Sequence, residues 1–271
     1  MACNEIIQSN EYMDLLVAMD EMEQPFYPPA CRQRISEKYE IWHYDRGGIP
    51  PLTVMEFTFS AIPKCFGLLD NGAMEESGII RVQDQPALSL KGSGVILGFF
   101  DTGIDYTNPL FRKPDGSTRI LSIWDQTQKT GVTPSFFDYG AEYEAKQINE
   151  ALNSENPYEI VPQRDENGHG TYLASIACGN EDESLEFTGA APLSDILVVK
   201  LKEAKQYLRD FYFIPENAPA YQENDMMAAV SWMNQIAAER NQPLVLCVGL
   251  GTNNGSHSGT SILSDYLNEI G

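Results

Sequence analysis

The chain has 271 residues, 42% hydrophobic and 21% charged, ordinary globular usage that excludes wholesale disorder and fibrous repeats. Its 18 basic and 39 acidic residues leave a formal net charge of −21, a poor surface for phosphates or anionic lipid, so neither nucleic acid nor membrane is an expected partner. No run approaches the ~18 apolar residues of a membrane helix, and MACNEIIQSNEYMDLL lacks the basic-then-apolar order of a secretory signal, so a cytoplasmic setting is expected over a secreted one.

Residues 11–21 (EYMDLLVAMDE) have helical spacing, and 22–34 (MEQPFYPPACRQR) are broken by three prolines. YEIWHY (39–44) alternates like a strand, and GGIPPL (47–52) is a turn. TVMEFTF (53–59) reads as a second strand and AIPKCFGLLD (61–70) as a short helix. Together they predict a small α+β region over residues 1–72.

From residue 73 to 271 the pattern changes to alternating strand and helix. VILGFF (95–100), DILVVKL (195–201) and LVLCVGL (244–250) are continuous apolar runs, the mark of strands buried on both faces of a parallel sheet. Helices are expected over 169–178, over 225–240 with Asp225 favourably near the N-terminus, and from about Ser261. Residues 126–165 read as an insertion with a helix around 142–153, and 202–224 as a long loop. The order predicts an α/β fold with a doubly wound parallel sheet. Five cysteines, Cys3, Cys31, Cys65, Cys178 and Cys247, form no CxxC pair, and an odd number cannot all pair within the chain. They are expected as thiols in a reducing compartment.

Three segments carry chemistry. In VILGFFDTGID (95–105) an apolar strand delivers Asp101 to its C-terminal end, the edge where open α/β sheets place their sites. In DENGHGTYLAS (165–175), His169 stands between Gly168 and Gly170 at a helix start, with Asp165 and Asn167 available to cap. Glycines on both sides admit close backbone approach, and a helix N-terminus disfavours the imidazolium, which suits a neutral base. In LVLCVGLGTNNGSHSG (244–259), Gly249, Leu250 and Gly251 suggest a strand edge kept bare so that an extended peptide can hydrogen-bond along it. The same glycines imitate a dinucleotide fingerprint, but the next helix starts too late to hold a pyrophosphate.

Taken together, these segments resemble the subtilisin-like serine proteases, the subtilases. D-T-G-I-D after an apolar strand resembles the segment of the triad aspartate, G-H-G-T that of the histidine, TGAAPLSDILVVKL (188–201) the following strand region, and VGLG (248–251) the cleft-lining edge strand. The order Asp then His is that of subtilisin. The resemblance covers residues ~76–256 and implies a partial subtilisin-type sheet over 73–271. It further implies a serine endopeptidase acting on polypeptide, with Asp101 orienting and His169 as general base. Gly249, Leu250 and Gly251 would bind substrate. The region 1–72 would then be a pro-domain, partner and inhibitor of its own catalytic domain, or an accessory unit. No cofactor is implied.

Departures from the family pattern shape the expectation. Gly259-Thr260-Ser261 is followed by Ile262-Leu263-Ser264, which does not continue the nucleophile motif G-T-S-x-A/S-x-P, so Ser261 is rejected as the nucleophile. Residues 1–271 thus carry Asp and His without the serine and are expected to be inactive alone. Asp101 and His169 stand 68 positions apart, a large insertion for this family that resembles a bacterial branch of it. Tyr172 stands where many relatives have a second histidine. Asn108-Pro109-Leu110 replaces His-Pro-Asp, removing a carboxylate tied to calcium, so no metal is expected. An aspartic protease would need a second D-T-G or D-S-G, which the chain lacks. A pseudoprotease or truncated binding protein is the alternative of a different class.

Overall fold

The structure, a computed structural model, describes residues 2–19, 27–68, 90–182, 187–256 and 258–271. Residues 22–26, the expected boundary at 72/73, the stretch 76–89 and His257 lie outside the described residues. The chain begins with α1 (Cys3–Ile7) and three antiparallel strands, β1 (Tyr12–Ala18), β2 (Cys31–Arg34) and β3 (Tyr39–Asp45), in the order β1-β3-β2. The helix expected over 11–21 is therefore a strand, paired from Tyr12↔Asp45 to Ala18↔Tyr39. Both of its faces are covered. Met13 and Leu15 pack with Trp42 and Tyr44, and Leu16 packs on the other side with Ile41. A strand buried on both faces shows no polar alternation, and its apolar run imitates helical spacing.

Residues 53–59 form turns rather than the expected strand. The amides of Glu56 and Phe57 both donate to the Thr53 carbonyl, and Val54 and Met55 are exposed, without ladder partners or core contacts to hold an extended form. The helix expected over 61–70 is replaced by β4 (Cys65–Leu68), whose partners lie some 155 to 185 positions further along the chain. Cys3 and Cys31 form a disulfide between α1 and β2, which corrects the expectation of five thiols; Cys65, Cys178 and Cys247 remain free. An odd count leaves at least one cysteine over but does not forbid pairs.

The second part of the chain supplies β5 (Ile96–Asp101), β6 (Ile120–Asp125), β7 (Ala141–Glu144), α2 (Ala145–Leu152), α3 (Pro157–Ile160), α4 (His169–Cys178) and β8 (Asp195–Lys200). There follow α5 (Gln206–Phe211), β9 (Tyr221–Gln222), α6 (Glu223–Arg240), β10 (Leu244–Cys247), β11 (Leu250–Gly251) and α7 (Ile262–Ile270). The main sheet has the order β10-β5-β8-β6-β7, parallel except for β7, which the 126–165 insertion adds antiparallel at one edge. The loop expected over 202–224 contains α5 and β9. The single strand expected over 244–250 is split into β10 and β11, which join different sheets.

Strand alternation decides what each face meets. In β5, Leu97 and Phe99 pack with Leu173, Ala174 and Cys178 of α4, whereas Ile96 and Phe100 pack with Met226, Val230 and Met233 of α6. Helices thus cover both faces of one sheet, the doubly wound arrangement. At Gly98 a β-carbon would come within 2.6 Å of Met233 Sδ, so glycine lets α6 lie close on that face. Asp101 has the parity of Leu97 and Phe99, so it faces α4. The three-stranded N-terminal sheet packs its Leu16, Cys31, Tyr39 and Ile41 into the α6 core, joined by Tyr266 of α7.

Candidate active site

Asp101 is the last residue of β5, a strand flanked on both sides by parallel neighbours, and its side chain is fully buried. Its backbone carbonyl accepts from the Leu201 amide at 2.9 Å, which fixes the strand end against the chain leaving β8. The chain crosses from β8 to β10 on the other side of β5, so the connections diverge beside this strand. A crevice opens at such a reversal.

His169 is the first residue of α4, preceded by Gly168 with φ +85°, a left-handed turn that an L side chain resists. Its Nδ1 lies 2.8 Å from Asp101 Oδ1 and 3.0 Å from Oδ2. Asp101 Oδ1 also accepts from the Thr102 amide at 2.7 Å. The Asp101 carboxylate is 0% exposed and the His169 side chain 13%, so the pair is shielded yet reachable. A carboxylate at Nδ1 holds the tautomer with hydrogen there, leaving Nε2 as the basic nitrogen, and stabilises the cation formed on protonation.

Glycines around the pair are spaces that side chains would fill. A β-carbon on Gly170 would overlap the Gly103 carbonyl oxygen, so the first turn of α4 rests directly on the D-T-G turn. A β-carbon on Gly249 would lie 2.7 Å from Leu173 Cδ2, 3.1 Å from His169 Cε1 and 3.3 Å from Asp101 Oδ2. The imidazole thus packs directly on the bare backbone of Gly249.

The edge expected at Leu250 and Gly251 exists and is occupied. Leu250 pairs with Leu68 and Gly251 with Gly67 in antiparallel register, and the other edge of β4 pairs Cys65 with Gln222 and Phe66 with Tyr221. An extended segment of the chain's own first 68 residues thus lies between two short strands. One of these strands directly follows the glycine against His169. Ser261, by contrast, begins α7, its Oγ 2.8 Å from Ser264 Oγ and accepting from the Ser264 amide. Cys178 ends α4, where the helix expected over 169–178 stops.

Asp165 is the residue whose importance at the site the sequence understates, visible there only as one of two possible caps. Among the described residues no cluster of three or more His, Cys, Asp or Glu side chains could hold a metal ion, and no helix is long and apolar enough to cross a membrane.

A model of the subtilase family matches residues 92–269. The "Subtilisin-like protease SBT2.2" of Arabidopsis thaliana is 36% identical over 108 residues, 36% of this chain and 12% of that protein. "Subtilisin-like protease SBT2.3" of the same plant is 31% identical over 127 residues, 44% of this chain and 14% of that one. Among solved structures, the Clostridium perfringens CspB protease superposes with a TM-score of 0.58 at 35% identity, covering 71% of this chain and 36% of that one. The chain thus spans about an eighth of the length of the curated relatives it matches.

Proposed function

The chain belongs to the subtilase family and has its α/β subtilisin-type fold, and we propose that the protein is a serine endopeptidase in which Asp101 and His169 are two members of the catalytic triad. The observation that carries this reading is the buried Asp101 carboxylate within hydrogen-bond reach of His169 Nδ1, across 68 positions of sequence. In the reaction, His169 Nε2 takes the proton of the attacking serine hydroxyl. Asp101 keeps the ring in one tautomer and stabilises the imidazolium, which then protonates the leaving amine. Among the described residues Ser261 is engaged at the start of α7, and in this reading residues 1–271 are inactive by themselves.

The substrate is polypeptide in extended form. Leu250, Gly251, Tyr221 and Gln222 hydrogen-bond a strand on both edges, the recognition mode that reads backbone rather than side chains. Its present occupant, β4, supports the reading of residues 1–72 as a pro-region that blocks its own catalytic domain. Replacing His169 by Ala in the complete protein should abolish labelling by a fluorophosphonate probe, with turnover falling about 10⁴-fold or more. Labelling that persists in that variant overturns the assignment, and a complete wild-type protein that is never labelled favours the pseudoprotease.

A further inference from the structure

We propose that Asp165 is a positioning residue that clamps the strand end carrying Asp101 to the helix start carrying His169; the inference deepens the protease reading and rests on it. Its carboxylate accepts four hydrogen bonds. Oδ1 receives the Thr102 hydroxyl at 2.7 Å and the Gly168 amide at 2.8 Å, and Oδ2 receives the Thr171 amide at 2.8 Å and the Thr171 hydroxyl at 2.6 Å. Thr102 and Gly168 are the immediate neighbours of Asp101 and His169.

The two hydroxyls extend the clamp. Thr102 Oγ1 accepts from the Gly170 amide at 2.9 Å, and Thr171 Oγ1 accepts from the Asp105 amide at 2.8 Å. Each hydroxyl spends its one proton on Asp165 and receives one from the opposite segment, so the donor directions are determined throughout. All four partners of Asp165 are donors, which only an ionised carboxylate satisfies. Burial pushes its pKa up, but the hydrogen bonds from Thr171, Thr102 and Gly168 outweigh burial and hold it below the usual carboxylate range. The Thr102 amide, oriented by this clamp, is the one that donates to Asp101 Oδ1 beside His169. An error of about 1 Å in such a pair costs on the order of 100-fold in rate, although neither Asp165 nor Thr102 touches a substrate.

The test compares Asp165→Asn, Thr102→Val and Thr102→Ser in the complete protein. An amide at 165 faces donors with donors, and valine removes the hydroxyl that both accepts and donates, whereas serine keeps it. Asp165→Asn and Thr102→Val should lower kcat about tenfold or more with KM within about twofold, and should shift the acid limb of the kcat/KM profile downward as the imidazolium loses its oriented carboxylate. Thr102→Ser should restore kcat to within about threefold of wild type. Wild-type kcat and an unmoved acid limb in the first two variants overturn the proposal, as does failure of serine to rescue. Should Asp165→Asn not fold, the Thr102 pair decides. Nitrogen-15 imidazole spectra of His169 separate the two readings: an unchanged Nδ1–H tautomer population in Thr102→Val sinks the clamp whatever the activity, whereas absent labelling of the wild type sinks only the protease assignment.

Discussion

Residues at this site are constrained as much by what they lack as by what they carry. The glycines beside His169 are visible in the sequence as invitations to close approach, and the structure divides the work between them. Gly168 takes a positive φ, while Gly170 lies on the Gly103 carbonyl. Gly249 belongs to the same packing although it is 80 positions away, since its missing side chain is filled by the His169 ring and Leu173. Gly249→Ala should cost about 1–3 kcal/mol, because the added methyl displaces an imidazole held on its other side by Asp101. Thermal melting and the fluorophosphonate labelling rate of the complete protein check this, and an unchanged value in both would refute it. Arg119 shows a different constraint: its buried guanidinium donates to the carbonyls of Ser194, Leu110 and Cys178, joining three segments around the end of α4.

At the scale of elements, strands β3, β5 and β8 and helices α4, α6 and α7 are legible because local pattern and tertiary role agree. β1 and β4 are not, since their stability comes from partners distant in sequence and from burial on two faces, which erases the period that identifies a strand. The motif ILSIWD of β6 carries a bulge between Ile120 and Ser122 that puts Ile120 and Ile123 on one face, so its alternation is broken as well. The disulfide from Cys3 to Cys31 ties α1 to β2 across 28 positions. By loop entropy it stabilises the folded chain by about 3–4 kcal/mol. Thiol titration in denaturant should therefore count three cysteines before reduction and five after, and reduction should lower the urea midpoint. Five thiols in the untreated protein would refute the bridge.

Across the whole molecule, the N-terminal sheet is bound to the second part of the chain by more than apolar contact. Asp14 and His43, both fully buried, are 2.6 Å apart on neighbouring strands. Asp14 also receives Lys205 Nζ at 2.6 Å and Gln222 Nε2 at 2.8 Å, while Gln33 Oε1 lies 2.9 Å from His43 Nε2. Burial pushes the Asp14 carboxyl up, but the charges of Lys205 and His43 and the His43 hydrogen bond hold it far below the carboxylate range. A lowered acid stabilises the fold fully above its unfolded pKa near 4 and loses that contribution as pH falls below it. The urea midpoint should drop between pH 5 and pH 2.5 in the wild type and by less in Asp14→Asn. Asp14→Ala should cost about 3–5 kcal/mol at pH 7, because it leaves the buried Lys205 ammonium without its carboxylate. Equal acid sensitivity in Asp14→Asn and wild type would contradict the role given to this network.

The sequence by itself determined the class of fold, the strand that ends in Asp101 and the glycine-flanked His169. Apolar runs, turn chemistry and short motifs are local properties and survive in a one-dimensional string. Only the tertiary structure decided that Asp165 ties the two together, that Gly249 packs on the imidazole and that β4 fills the edge at Leu250 and Gly251. Those relations are distances between residues remote along the chain. They depend on sheet order, register and the face to which each side chain points, and no local pattern encodes these.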